Sequence, residues 1–249
     1  GEGASDKDLF KQPPRDECPI CFLPPPLAAT GHKVVYKECC GKSLCAGCLY
    51  ADFTENNRLG CPFCRTPGAT SCGEAVDRVK TRVESGDASA MYRLGCYYHK
   101  GLMGLQRNHK KAMKLWLRAG ELGDANSLNS VGTIYLHGHG VERDEKKAKY
   151  YWELAAMRGH TNARHDLGVI EVRKGNMERA VKHWMISVGG GDDNSLKKIR
   201  EAFLMGHASK DVFEKALRAH KAAKDEMKSH QREAAATDEL FRRSFLKDG

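Results

Sequence analysis

The chain has 249 residues, 41% of them hydrophobic and 29% charged, with a mean hydropathy of −0.58. That is enough apolar material for one or two packed domains and excludes a wholly disordered chain. No run of about 18 apolar residues occurs, which excludes a membrane-spanning helix, and the opening Gly1-Glu2-Gly3-Ala4-Ser5-Asp6-Lys7 carries no apolar secretory core.

Residues 1–15 are polar, end near Pro13-Pro14 and lack periodicity, so they read as a flexible N-terminal segment. Residues 16–68 hold a cysteine block with the spacing Cys18-x2-Cys21-x17-Cys39-Cys40-x4-Cys45-x2-Cys48-x12-Cys61-x2-Cys64. Zinc takes four thiolate or imidazole ligands in a tetrahedron, and a Cys-x-x-Cys turn offers two sulfurs to one side of an ion. Eight such ligands suit two Zn²⁺ ions. Paired cysteines without a secretory signal point to metal in a reducing compartment, cytoplasmic or nuclear, rather than to disulfides. Zinc sites closed by four thiolates leave no position for water, so hydrolytic metal catalysis is not expected.

The formal charge is +9, but with eight bound thiolates and two dications it falls to about +5. Residues 1–73 carry eight basic against eight acidic side chains, and the excess beyond them, 33 against 24, is interleaved with acids. This patterning weighs against nucleic acid as a partner.

Residues 69–85 read as a linker or helix, and no proline occurs from Glu74 onward. Over residues 86–206 a repeat appears. Gly86-Asp87-Ala88 recurs as Gly123-Asp124-Ala125, Gly159-His160-Thr161 and Gly191-Asp192-Asp193, at periods of 37, 36 and 32 residues. Each period accommodates two helices. Ala112, Trp116 and Ala119 recur as Ala148, Trp152 and Ala155, then as Ala180, Trp184 and Ser187, a packing register of one large ring between small residues. Leu94/Tyr98, Val131/Tyr135 and Ile199/Phe203 share a helix face with i, i+4 spacing, and Glu171, four residues after Leu167, breaks it. Residues 207–249 read as C-terminal capping helices, one opened by Ser209 and a last short one opened by Thr237 before Leu240, Phe241 and Phe245. His137 and His139 flank Gly138 and read as turn residues rather than as a further metal site.

The repeats resemble the Sel-one-like repeat, a relative of the tetratricopeptide repeat, most closely from Gly123 to Gly159 with Val131-Gly132, Tyr135, Gly138-His139-Gly140-Val141 and Lys147-Ala148 in place. The third repeat lacks the Gly-x-Gly-Val turn, and the fourth has Arg200 where the family has glycine. The cysteine order resembles the RING finger, in its minority form with cysteine throughout. That resemblance implies Cys18, Cys21, Cys45 and Cys48 for the first zinc and Cys39, Cys40, Cys61 and Cys64 for the second. Lys42 stands at the usual histidine position, so Cys39 is the natural fourth ligand and His32 its rival. The expected fold is therefore mainly α: a small cross-braced two-zinc RING finger, then an α-solenoid of two-helix repeats and C-terminal helices.

The RING resemblance implies a ubiquitin ligase. Ile20, Pro62 and Phe63 in the two zinc loops would dock a ubiquitin-conjugating enzyme, and Arg65 would hold the enzyme-linked ubiquitin in a reactive orientation, without a covalent intermediate. Asp52 stands where many RING fingers place an apolar contact, with Phe53 as a substitute. The repeats would recruit a protein substrate or adaptor. The alternative is a non-catalytic zinc-finger and solenoid adaptor for protein–protein interaction.

Overall fold

The computed structural model describes residues 5–13, 17–25, 34–56 and 60–245, with side chains to 243. Its elements are α1 (Asp6–Leu9), β1 (Val34–Lys37), β2 (Lys42–Cys45), α2 (Ala46–Asn56), α3 (Cys72–Glu84), α4 (Ala88–Lys100), α5 (His109–Glu121), α6 (Ala125–His137), α7 (Glu145–Met157), α8 (Thr161–Arg173), α9 (Met177–Gly189), α10 (Asp193–Leu204), α11 (Lys210–Met227), α12 (His230–Thr237) and α13 (Glu239–Phe245). The described residues are thus mainly helical. None of these helices is long and apolar enough to cross a membrane. The chain divides into two compact units, each made of two separate stretches: residues 16–122 with 227–249, and residues 1–15 with 123–226.

In the first unit β1 and β2 form an antiparallel hairpin with Val34 opposite Cys45 and Lys37 opposite Lys42. Its turn is closed by the N–H groups of Cys40 and Gly41, which donate to the Lys37 carbonyl at 3.2 and 2.8 Å. Gly41 takes φ +74°, a conformation that needs no Cβ. Ser71 caps α3 by accepting from the Glu74 N–H at 3.1 Å. Val76 and Val79 of α3 are buried with Tyr36, Ala90 and Leu94, so hairpin, α3 and α4 share one core.

The two-helix repeats α4/α5, α6/α7 and α8/α9 follow one design. Asp87, Asp124 and His160 cap the first helix by accepting from the N–H three residues on, at 3.0, 2.6 and 3.1 Å. The preceding Gly86, Gly123 and Gly159 lie at φ +86°, +96° and +91°. Trp116, Trp152 and Trp184 are buried, and their indole N–H groups donate to the carbonyls of Tyr92, Asn129 and His165 at 3.0, 3.3 and 3.2 Å. The indoles therefore lock each second helix to its first.

Two expectations need correction. Residues 5–10 do not behave as a lead-in: α1 is capped by Ser5, and Leu9 is fully buried in the second unit with Leu128, Trp152, Ala156 and Leu167. A single leucine reaching an apolar pocket outweighs the polarity of its neighbours. Residues 1–4 and 14–15 of that segment lie outside the described residues. The C-terminal helices also divide their roles. Val212, Phe213 and Ala216 of α11 pack with Ile199 and Val188 of the second unit, as a cap should. Ala235 and Phe241 of α12 and α13 instead join Ala46 and Leu49 of α2 in the first unit. The last helix is capped by Asp238, which accepts from the Phe241 N–H at 2.8 Å, while the Thr237 hydroxyl donates back to the Glu233 and Ala234 carbonyls.

Candidate metal centres

Two groups of four cysteines converge in the first unit. The sulfurs of Cys18, Cys21, Cys45 and Cys48 all lie within 4.8 Å of one another, and so do those of Cys39, Cys40, Cys61 and Cys64. Local structure explains the convergence. Cys45 ends β2 and Cys48 lies in the first turn of α2, so strand and helix present them together. Cys39 and Cys40 occupy the hairpin turn.

The remaining pairs sit in two matching knuckles. The Phe22 N–H donates to Cys18 O at 2.8 Å and the Cys18 N–H to Leu23 O at 3.0 Å; likewise Arg65 donates to Cys61 O and Cys61 to Thr66 O, each at 2.9 Å. Phe22 and Arg65, each directly after the second cysteine, take φ +56° and +59°. The left-handed residue turns the chain so that the knuckle's two sulfurs point the same way.

Sulfur–sulfur distances across the groups are 3.8 Å for Cys18–Cys48 and Cys21–Cys45, 3.5 Å for Cys40–Cys61 and 3.3 Å for Cys39–Cys64. A tetrahedron with bonds of about 2.3 Å has edges of about 3.8 Å, so both groups fit zinc. The electrostatics agree with that fit. The Cys48 thiol hydrogen bond, with the Arg232 guanidinium alongside, holds the Cys45 thiol down at about 4, while Cys48 itself is pushed far up by Cys45 and by burial. Thr66 holds Cys64 down at about 6, and burial pushes Cys39 up. Four sulfurs so close cannot all ionise without a cation among them. The rival ligand His32 lies outside the described residues. Among the described residues these two are the groups able to hold a metal; the His137 and His139 rings stack at 5.5 Å without joining one.

Sequence reasoning missed Arg232. It is 1% exposed, and its guanidinium donates to Pro24 O and Met227 O at 2.8 Å and to Leu23 O at 3.4 Å, with Cys21 Sγ at 3.5 Å. It thus ties α12 to the first knuckle and sets a fixed positive charge beside the thiolates. No spacing marks an arginine 211 residues from the cysteine it touches. The nearest local signal is Gly47 between Cys45 and Cys48, where a Cβ would stand 2.7 Å from Arg232 N.

Ile20 and Phe63, the expected docking residues, are 39% and 40% exposed at the knuckle tips, with Pro62 half-buried and Arg65 exposed. Phe53, the expected substitute, is half-buried and packs on Phe241, ring centroids 6.1 Å apart. Asp52 accepts from the Asn56 side chain at 3.0 Å.

A family model described as Sel1 repeat matches residues 88–124 and 125–160, so this stretch consists of Sel1 repeats. "ERAD-associated E3 ubiquitin-protein ligase component HRD3A" of Arabidopsis thaliana is 41% identical over 59 residues, which are 24% of this chain and 9% of that protein. Component HRD3B of the same plant is 37% identical over 60 residues, again 9% of its length. The chain thus spans under a tenth of the curated relatives it matches. The crystal structure of a Sel1 repeat protein from Oxalobacter formigenes superposes with a TM-score of 0.56 and 20% identity over 72% of this chain and 71% of the other, a likeness of fold.

Proposed function

We propose that the chain is a protein-interaction adaptor whose two-zinc module and Sel1 repeats make separate contacts, and that it serves ubiquitin-ligase machinery. The observation that carries this reading is the Sel1 repeat pair at 88–160, and it is supported by 41% identity over 59 residues to a plant protein named as a ligase component. Zinc, when bound, supplies a structural cross-link between the knuckles, the hairpin and α2. Cys18, Cys21, Cys45 and Cys48 hold one ion and Cys39, Cys40, Cys61 and Cys64 the other.

A second reading, a ligase acting by itself, is favoured by the half-exposed Ile20 and Phe63 at matching knuckle tips. In that case the protein would bind a ubiquitin-conjugating enzyme there, and Arg65 would orient its ubiquitin. Mass spectrometry under native conditions should find two zinc ions per chain. Single-turnover discharge of ubiquitin-loaded conjugating enzymes onto free lysine separates the two readings. The adaptor leaves discharge at the background rate; acceleration that disappears in both Ile20→Ala and Arg65→Ala would replace it with the ligase.

A further inference from the structure

At three buried positions the third repeat carries an ionisable side chain where its neighbours carry an apolar or aromatic one. Five residues after the left-handed glycine stand Met91, Leu128 and Leu196 in the other repeats but Arg164 in the third. Twelve residues after it stand Tyr98, Tyr135 and Phe203 but Glu171. Just before the tryptophan stand Leu115 and Tyr151 but His183. All three replacements are 1% exposed. Ionisable groups at apolar positions are costly unless partnered, so their partners indicate what the position serves.

Arg164 and His183 meet residues 6–10 directly, and Glu171 reaches that segment only through Arg179. Arg164 donates to the main-chain carbonyl of Leu9 at 2.6 Å and to that of Ala156 at 2.8 Å. His183 lies 4.7 Å from the Phe10 ring, centroid to centroid, and its Nδ1 has no hydrogen-bond partner among the described residues. Arg179 holds the Asp6 carboxylate through both oxygens and reaches Glu171 at 3.5 Å. Glu171 also accepts from Lys149 and Asn176, each at 3.0 Å.

One exchange is telling. In the first two repeats a lysine sits over the repeat's own tyrosine, Lys111 over Tyr98 at 5.1 Å and Lys147 over Tyr135 at 5.2 Å. In the third, where that aromatic is Glu171, the cation is Arg179 and the ring beneath it is Phe10, at 5.2 Å. The repeat takes from a separate segment the ring it lacks. The segment is held by few points: one buried leucine, one ring, one carbonyl and one carboxylate, while Lys7 and Asp8 face solvent.

We propose that this groove of the third repeat is a receptor for short protein segments of the pattern acidic–x–x–Leu–aromatic, and that Asp6-Lys7-Asp8-Leu9-Phe10 is its resident, displaceable occupant. Arg179 selects the acid, the pocket at Leu128, Trp152 and Leu167 takes the leucine, Arg164 reads the main-chain carbonyl, and His183 with Arg179 holds the ring. The inference rests on reading the repeats as an interaction module. A tethered occupant acts at an effective concentration of about millimolar, so an incoming segment binds the wild type more weakly than a chain whose own segment is displaced.

The test uses the full chain and a fluorescent peptide of residues 5–12. Leu9→Glu expels the resident segment; the peptide should bind this variant saturably and at least about tenfold more tightly than it binds the wild type. Adding Arg179→Glu should remove that binding, and a peptide carrying Asp6→Arg should restore it. No saturable binding to Leu9→Glu with its helical signal intact would overturn the proposal, as would binding indifferent to the charge swap. Should Leu9→Glu fail to fold, the double variant Asp6→Ala/Phe10→Ala, which only trims the anchors, is read by the same criterion. Failure here would leave the adaptor reading to its own test, zinc content and ubiquitin discharge.

Discussion

A methyl group at Gly132 would stand 2.6 Å from Cδ1 of Trp152 and 3.1 Å from the Ala148 carbonyl, and Gly95 and Gly168 face Trp116 and Trp184 in the same way. The glycine and the indole are one device. Gly132→Ala should therefore cost about 1–3 kcal/mol by overpacking, and Trp152→Ala about 3–5 kcal/mol by leaving a cavity. The double variant should cost less than the sum, because the methyl then enters the vacated space; urea unfolding of the three variants checks this, and strict additivity would refute it. Only part of this device was legible in the sequence: the tryptophan register and Arg200 in place of a repeat glycine can be read there, while the facing of glycine and indole appears only once the helices are packed. His160 makes a second residue-scale prediction. It caps α8 through Nδ1, which must be unprotonated to accept, and burial holds it down from 6.5 to about 4. The unfolded chain then binds more protons between those values, so stability falls as pH drops through that window. His160→Asp, matching the caps Asp87 and Asp124, should flatten the decline. His183, held down to about 3 by burial, acts in the same direction and leaves part of the slope. An unchanged slope in urea midpoints between pH 7 and about 4.5 would refute the cap's role.

Among the elements, α12, like α1, could not be placed from the chain. Its apolar residues are three consecutive alanines, Ala234 to Ala236, and a helix of eight residues carries too little periodicity to name its neighbour. The repeats and cysteine pairs were legible because each announces itself several times at fixed spacing; α1 and α12 occur once, and their partners lie 155 and 211 residues away. What fixes α12 is the close approach at Gly47 and the guanidinium of Arg232. With zinc bound, Arg232→Met should speed loss of metal to a chelator from the first cysteine group by about 10- to 100-fold, as for other residues that support metal ligands. The second group serves as the internal control. Equal loss from both groups, or from neither, would mean that Arg232 only holds the helix. Phe241, fully buried against Tyr50 at 5.2 Å, should cost about 3–5 kcal/mol when cut to alanine.

At the scale of the whole molecule, neither unit is a continuous stretch of chain. Each keeps one terminal segment in its own core, Leu9 in the second unit and Phe241 in the first. Truncation after Met227 should therefore be felt in the cysteine-rich unit and not in the repeats of 123–226: the first zinc should leave more readily while the indoles of Trp152 and Trp184 stay protected from a soluble quencher. Quenching of those indoles on truncation would refute this division.

The same feature sets a clock on synthesis. Cys21 is made 211 residues before Arg232, and at the ribosome's 5–20 residues per second the arginine follows about 10–40 s later. For that interval the thiols compete for metal without their fixed positive charge, and Leu49, Tyr50 and Phe53 of α2 await Phe241. A nascent chain in this state presents a greasy helix beside reactive sulfurs, the kind of surface that chaperones recognise, and release from them would coincide with the arrival of residues 227–245.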